Sequence, residues 1–280
     1  MGKHSPPTSN MHPVVGDRYV LAVGDTATAR LVDEVYGLAT RQSISDAGLQ
    51  PGMRVADLGC GTGILTRWLA EQAGSTGEVV GLDASGKQLS VAGAMQGSVG
   101  SAKLTFREGS VYETGLPRGS FDMVCCRFLL CHLLRPLDAL QEMRALLRPG
   151  GALVCQDMDL LSLINEPANC ACRRSVELSL ALADIRGVDY CFGARLEDSA
   201  REAGFEALQA TAEQPWFLRG EGKRLWEYTF LEAAPAMVDA DLVRQREVDQ
   251  LAAELASAAK HENTLLATWM MFGVSGRKRV

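Results

Sequence analysis

Residues 57–63 read Asp57-Leu58-Gly59-Cys60-Gly61-Thr62-Gly63, three glycines at alternate positions behind a carboxylate. Glycines at that density let a chain turn tightly and let a ligand approach main-chain NH groups at the start of a helix. Asp83 follows twenty residues after Gly63. A carboxylate there, at the end of the next strand, can accept both hydroxyls of a ribose. Together the two features point to a ligand with a nucleoside part.

Charge narrows the choice of ligand. A dinucleotide site uses Gly-x-Gly-x-x-Gly and brings a pyrophosphate to the turn, whereas here the third place is Ile64 and Asp57 would repel phosphate. The Gly-Lys-Ser/Thr loop that cradles ATP or GTP is absent. S-adenosylmethionine has no phosphate and carries an ammonium group, for which a carboxylate at the turn is favourable. On charge, S-adenosylmethionine is the expected cofactor.

The elements that must position these residues alternate. A short buried strand over 54–58 enters the glycine turn and a helix over 64–73 leaves it. Strands over 78–83, 104–108, 121–126 and 152–156 follow, with helices over 85–97 and 137–147 between them. Arg148-Pro149-Gly150-Gly151 reads as a sharp stop before the fifth strand. Such alternation implies parallel βαβ units, hence an α/β, Rossmann-like doubly wound sheet with sites at the strands' C-terminal ends. Ahead of it lie a helix over 26–40 and a short one over 43–49. Beyond residue 160 come helices over 170–186, 196–203, 223–232 and 238–261, a strand over 206–212 and an apolar closing strand over 265–274, with 276–279 an exposed tail. The expected organisation is a flexible N-terminus over 1–18 and a single domain over 19–280. Segments at about 160–190 and 215–262 exceed what the sheet needs and form a helical lid over its open edge.

From about Met53 to Gly151 the sequence resembles the class I S-adenosylmethionine-dependent methyltransferases. Val55-Ala56-Asp57-Leu58-Gly59-Cys60-Gly61-Thr62-Gly63 looks like their first motif, and Val80-Gly81-Leu82-Asp83-Ala84-Ser85 like their second. Phe121-Asp122-Met123-Val124, then Cys126-Arg127-Phe128 and Leu147-Arg148-Pro149-Gly150-Gly151, look like the fourth strand and the turn before the fifth. Among subfamilies the chain is most similar to the bacterial small-molecule group that includes the quinone-ring methyltransferases. The resemblance implies seven strands with the last antiparallel and a methyltransferase using S-adenosylmethionine. It implies that Asp57, Gly59, Gly61 and Gly63 hold the methionine part, that Asp83 and Ala84 meet the ribose, and that Gln88, Ser110 and Val111 meet the adenine. Ser110 stands where many members have Asp, which leaves Val111 NH as the contact that can still serve. Arg127 completes the cofactor set and Tyr19 is a candidate aromatic cover.

Arg127 to His132 should line the methyl-transfer channel, with His132 the candidate general base because an imidazole titrates near neutral pH. Asp157 and Asp159 follow the fifth strand and are candidates for facing the acceptor, with a helix cap or a turn as the alternative. Trp216, Phe217, Trp226, Tyr228 and Phe230 are candidate pocket walls or ordinary core. Arg219, Lys223 and Arg224 are candidate anion holders or a solvated face.

Composition sets the outer bounds. The 280 residues carry a net charge of −6, which argues against a nucleic-acid partner. No apolar run approaches the roughly 20 residues that span a bilayer, and Met1-Gly2-Lys3-His4-Ser5-Pro6-Pro7 has no signal-peptide core. The eight cysteines suit reduced thiols, and Cys170-x-Cys172 lacks the second pair of a zinc site, so no metal is expected. The expected activity is cytoplasmic methyl transfer to a small-molecule acceptor. Three alternatives stand beside it: methylation of protein or RNA, a non-methylating S-adenosylmethionine-binding protein, and a nicotinamide-dependent oxidoreductase. Oligomeric state is not legible.

Overall fold

The computed structural model describes residues 26–94 and 102–280. Tyr19 and the expected N-terminal segment 1–18 lie outside the described residues. The chain enters through helix α1 (Thr26–Asp46), then strand β1 (Arg54–Leu58), helix α2 (Ile64–Ala73), strand β2 (Glu78–Asp83), helix α3 (Gly86–Gly93) and strand β3 (Lys103–Glu108). Strand β4 (Phe121–Arg127), helix α4 (Pro136–Leu146) and strand β5 (Leu147–Asp159) complete the alternating part. The remainder holds β6 (Ile164–Glu166), α5 (Cys170–Arg186), α6 (Leu196–Glu202), β7 (Phe205–Glu213), β8 (Trp216–Phe217), α7 (Leu225–Asp239), α8 (Gln245–Lys260), β9 (Leu265–Ala267) and β10 (Met270–Lys278).

Seven strands form one sheet in the order β3-β2-β1-β4-β5-β10-β7. The first five are parallel, and β10 runs antiparallel to both β5 and β7. The central strands read as unbroken apolar runs because both faces are covered. Val55, Met123, Cys125 and Val154 enter one core, and Ala56, Leu58, Val124, Cys126 and Cys155 the other. That alternation is the period of two that a strand imposes. Strand order reverses at β1, with β2 on one side and β4 on the other, and a crevice opens beyond their C-terminal ends.

Local chemistry sets the helix ends that matter here. α2 starts from Gly63 at φ 74° and buries Leu65, Leu69, Ala70 and Ala73. α3 starts from Ser85, whose hydroxyl accepts from Gln88 N at 3.3 Å. α5 starts from Asn169 and stops at Gly187 at φ 69°. A second sheet, β6-β9-β8, lies outside the main one.

Four expectations are corrected. The helices expected over 26–40 and 43–49 are one helix, α1, with Ser43 and Ser45 hydroxyls returning to carbonyls one turn back rather than ending it. Arg148-Pro149-Gly150-Gly151 lies inside β5, where the register to β4 shifts and Gly150 sits at φ 77°. The irregularity absorbs the proline that suggested a stop. The closing strand expected over 265–274 is two, β9 in the small sheet and β10 in the large one. The expected tail 276–279 is largely β10: Arg277 donates to Ala47 O at 2.8 Å and Lys278 to Leu147 O at 2.6 Å.

Candidate functional site

The glycine turn is stitched to the end of β2. Gly59 N and Cys60 N donate to Leu82 O at 2.7 and 3.1 Å, and Gly61 N donates to Asp83 Oδ2 at 2.8 Å. Ser85 N donates to the other Asp83 oxygen at 2.8 Å. Each carboxylate oxygen keeps a further lone pair, so Asp83 can still accept from a ligand. Gly59, Gly61 and Gly63 all have positive φ, between 55° and 74°. A Cβ on Gly61 would stand 2.6 Å from Gln88 Oε1, and one on Gly63 2.6 Å from the Phe106 ring. Gly61 is therefore needed under the site and Gly63 for helix-to-strand packing.

A cavity of about 200 Å³ opens above this turn. Its walls include Asp57, Gly59, Cys60, Gly61, Asp83 and Gln88 on one side. Arg127, Phe128 and His132 after β4, Met158 of β5 and Trp269 before β10 continue them. α1 adds Thr28, Ala29 and Val32, and α7 adds Thr229 and Glu232. Of the residues expected from sequence, Gly63, Ala84, Ser110 and Val111 are not in this wall. Val111 is in the core, Ala84 is exposed and the Ser110 hydroxyl accepts from Tyr112 N at 3.2 Å.

Asp57 is buried and accepts from Thr66 Oγ1 at 2.7 Å. Burial pushes its carboxyl up to about 6, and the neighbouring Thr66 and Arg127 hold it from rising further. Burial raises Asp83 as well, opposed by its bonds from Ser85 and Gly61 NH. Below about pH 6 Asp57 is neutral and loses its attraction for a cationic ligand. The affinity for S-adenosylhomocysteine, which carries the same ammonium group, should therefore fall as pH drops through 6. Asp57→Asn should bind weakly throughout and flatten that dependence, leaving only the share from Asp83. Titrations between pH 5 and 8 on both proteins check it.

His132 packs edge-on against Tyr190, ring centres 5.3 Å apart. Burial lowers it to about 4, with Arg186 adding to the effect, so the imidazole is neutral at pH 7. It can accept a proton but is a weaker base than a solvated histidine. Asp157 and Asp159 serve structure instead. Asp157 accepts from Cys131 N at 3.0 Å and Met158 N at 2.9 Å, and Asp159 caps a 3-10 turn through Leu161 N. Lys223 is buried, its ammonium donating to three carbonyls and Thr264 Oγ1. Arg219 pairs with Glu262 and Arg224 with Glu227. The aromatic residues of α7 are core: Phe230 and Trp226 are buried, while Trp216 is exposed outside the cavity.

The residues that sequence reasoning missed are on α1, α7 and the link before β10. Thr28, Val32, Tyr36 and Thr40 recur every fourth position, a stripe that in retrospect marks the inward face of α1. Trp269 sat unnoticed within an apolar run. Tyr36 joins the two, its hydroxyl donating to Trp269 O at 2.6 Å and hydrogen-bonded with Thr268 Oγ1 at 2.8 Å, its ring stacked on Trp269 at 5.7 Å.

A seven-stranded sheet in this order, with the sixth position filled by an antiparallel strand and a glycine turn at the reversal, is the class I methyltransferase fold. Residues 56–155 match the family described as a methyltransferase domain. A demethylmenaquinone methyltransferase of Staphylococcus aureus is 38% identical over 122 residues, which is 44% of this chain and 50% of that protein. The chain thus spans about half the length of the curated relatives it matches. Phosphoethanolamine N-methyltransferase 2 of Haemonchus contortus, solved with phosphomonomethylethanolamine and S-adenosylhomocysteine, superposes with a TM-score of 0.58 at 16% identity, over 95% of this chain and 61% of that one. The [4+2]-cyclase SpnF superposes with a TM-score of 0.53 at 17% identity, over 94% and 98% of the two chains. Likeness at that level is one of fold, and a fold shared with a cyclase does not specify the reaction.

Proposed function

We propose that this chain transfers a methyl group from S-adenosylmethionine to a small-molecule acceptor. The observation that carries the reading is the single cavity wall running from Asp57 and Asp83 to Phe128, Met158 and Trp269: carboxylates at one end, aromatic and apolar side chains at the other. The residues present fit the cofactor. Asp83 would take the ribose hydroxyls, Asp57 would balance the ammonium group, Arg127 would meet the carboxylate and Gln88 would lie along the adenine. Gly59, Gly61 and Gly63 leave the turn open; Ala84, Ser110 and Val111, outside the cavity wall, are proposed contacts of the nucleoside end, with Tyr19 as a proposed cover. When bound, the cofactor supplies an electrophilic methyl group on its sulfonium sulfur.

The chain's own work is alignment and exclusion of water, which provide much of the acceleration available to a displacement reaction. Segments 160–190 and 215–262 would form the lid, of which α7 supplies Thr229 and Glu232 to the cavity wall. His132, neutral at pH 7, would accept a proton from an acceptor that must lose one. The reading extends to a cytoplasmic protein with a diffusible, quinone-type acceptor, supported by the name of its Staphylococcus aureus relative and by the flat aromatic walls. Its test is competition binding followed by turnover. S-adenosylmethionine should bind and NADH should not. A demethylated naphthohydroquinone should release S-adenosylhomocysteine. Binding of NADH in preference would overturn the reading.

A further inference from the structure

The Arg127 guanidinium is the cation of the cavity wall, and it is held by a residue outside that wall. Arg127 Nη1 stands 3.3 Å from Asp33 Oδ1 and 3.4 Å from Thr40 Oγ1, both on α1. The second Asp33 oxygen receives Arg41 Nη2 at 2.5 Å. One carboxylate is thus shared by two guanidinium groups, so the cluster keeps a net positive charge next to the cavity. Asp57 is the other carboxylate whose charge Arg127 feels, yet the ion pair is with Asp33.

Gly37 lies between Asp33 and Arg41 on α1. A Cβ there would stand 2.7 Å from Arg41 Nη1 and 2.9 Å from Asp33 Oδ1. Glycine inside a helix weakens it relative to alanine. Here the missing side chain is what lets Arg41 fold back along the helix and reach a residue eight positions earlier.

From this we infer that Asp33, with Arg41 across Gly37, is a positioning unit that holds Arg127 off Asp57 and presents its charge to the carboxylate end of the cofactor. The inference rests on the S-adenosylmethionine reading of the cavity. Without Asp33 the nearest anion for Arg127 is Asp57. The two would close on each other and withdraw both charges from the ligand's amino-acid part, while the nucleoside part would be untouched.

Two ligands separate these parts: S-adenosylhomocysteine, which has the carboxylate and ammonium, and 5′-methylthioadenosine, which has neither. Calorimetric titration of Asp33→Asn should show S-adenosylhomocysteine bound about tenfold more weakly or worse, since one partner of a desolvated charge pair is gone. Methylthioadenosine should change less than about twofold. Asp33→Glu should recover part of the loss. Gly37→Ala should weaken S-adenosylhomocysteine in the same selective way while its melting temperature stays level or rises, a combination that general damage to the fold would not produce. Equal losses for both ligands, or none for either, overturn the inference and leave the cofactor reading intact. Failure of both ligands to bind the unsubstituted protein overturns the cofactor reading, and this inference with it.

Discussion

Asp83→Ala is expected to abolish cofactor binding while leaving a folded protein. The Asp83 carboxylate receives Gly61 N and Ser85 N, each at 2.8 Å, so it ties the glycine turn to the end of β2 before any ligand arrives. Hydrogen bonds to a charged group contribute about 1.5–3 kcal/mol each. Removing them should cost stability by about 2 kcal/mol, because burial has already raised Asp83 and offsets part of the gain. The ligand loses both the ribose contacts and an ordered turn, so affinity should fall by at least about 100-fold, or about 3 kcal/mol. Asp83→Asn separates the two effects. It keeps the shape and one of the two bonds, so it should lose less stability than the alanine variant while still binding weakly. Denaturant unfolding and ligand titration on the two variants check it, and a near-normal affinity for the alanine variant would remove Asp83 from the site.

Trp269→Ala should have the largest effect on stability. Trp269 is 3% exposed and stacks on Tyr36, with edge contacts to Phe128 and Trp226 at ring separations of 6.2 Å each. Truncating a buried tryptophan costs about 3–5 kcal/mol, and here the void would open straight into the cavity wall. The effect should spread to Phe128, which sits at φ 53° and depends on its neighbours to keep that conformation. Trp269→Phe should retain most of the stability and report on the acceptor end alone, by a raised KM for the acceptor with cofactor affinity unchanged. Urea unfolding of both variants measures the first effect and steady-state kinetics the second. An alanine variant as stable as the parent would mean that α1 does not close the cavity through Trp269.

These two residues also mark what could be read from the chain and what could not. The place of Asp83 was legible because it follows from short-range order: a buried strand, a glycine turn, a helix, and a second strand that must end beside the first. The bounds of β1, α2 and β2 follow from the same local pattern, apolar runs buried on both faces and a glycine at the helix start. Trp269 was not legible. It touches Tyr36 across 233 positions of sequence, a contact that no period or spacing announces. Arg127 was named without Asp33 for the same reason, the two being 94 positions apart. The aromatic residues of α7 fall on the core side of the two readings their composition left open. Trp226 and Phe230 look like pocket residues by composition, but Trp226 spends its indole NH on Ser175 Oγ at 2.8 Å and Phe230 is fully buried. The wall that α7 offers the cavity is Thr229 and Glu232, one position away from Phe230 and two. Helix phase set by tertiary packing decided which face turned inward. β5 makes a similar point, since a proline and two glycines usually end a strand, yet here a register shift carries them through.

The central claim is methyl transfer to a small molecule, and the most direct measurement follows the methyl group itself. The protein would be incubated with S-adenosylmethionine labelled in its methyl group and a cell extract, and the products separated by size. The account predicts label in a small-molecule fraction, absent when Asp83→Ala replaces the parent protein. Label confined to protein or RNA, or none at all while the cofactor binds tightly, would contradict it.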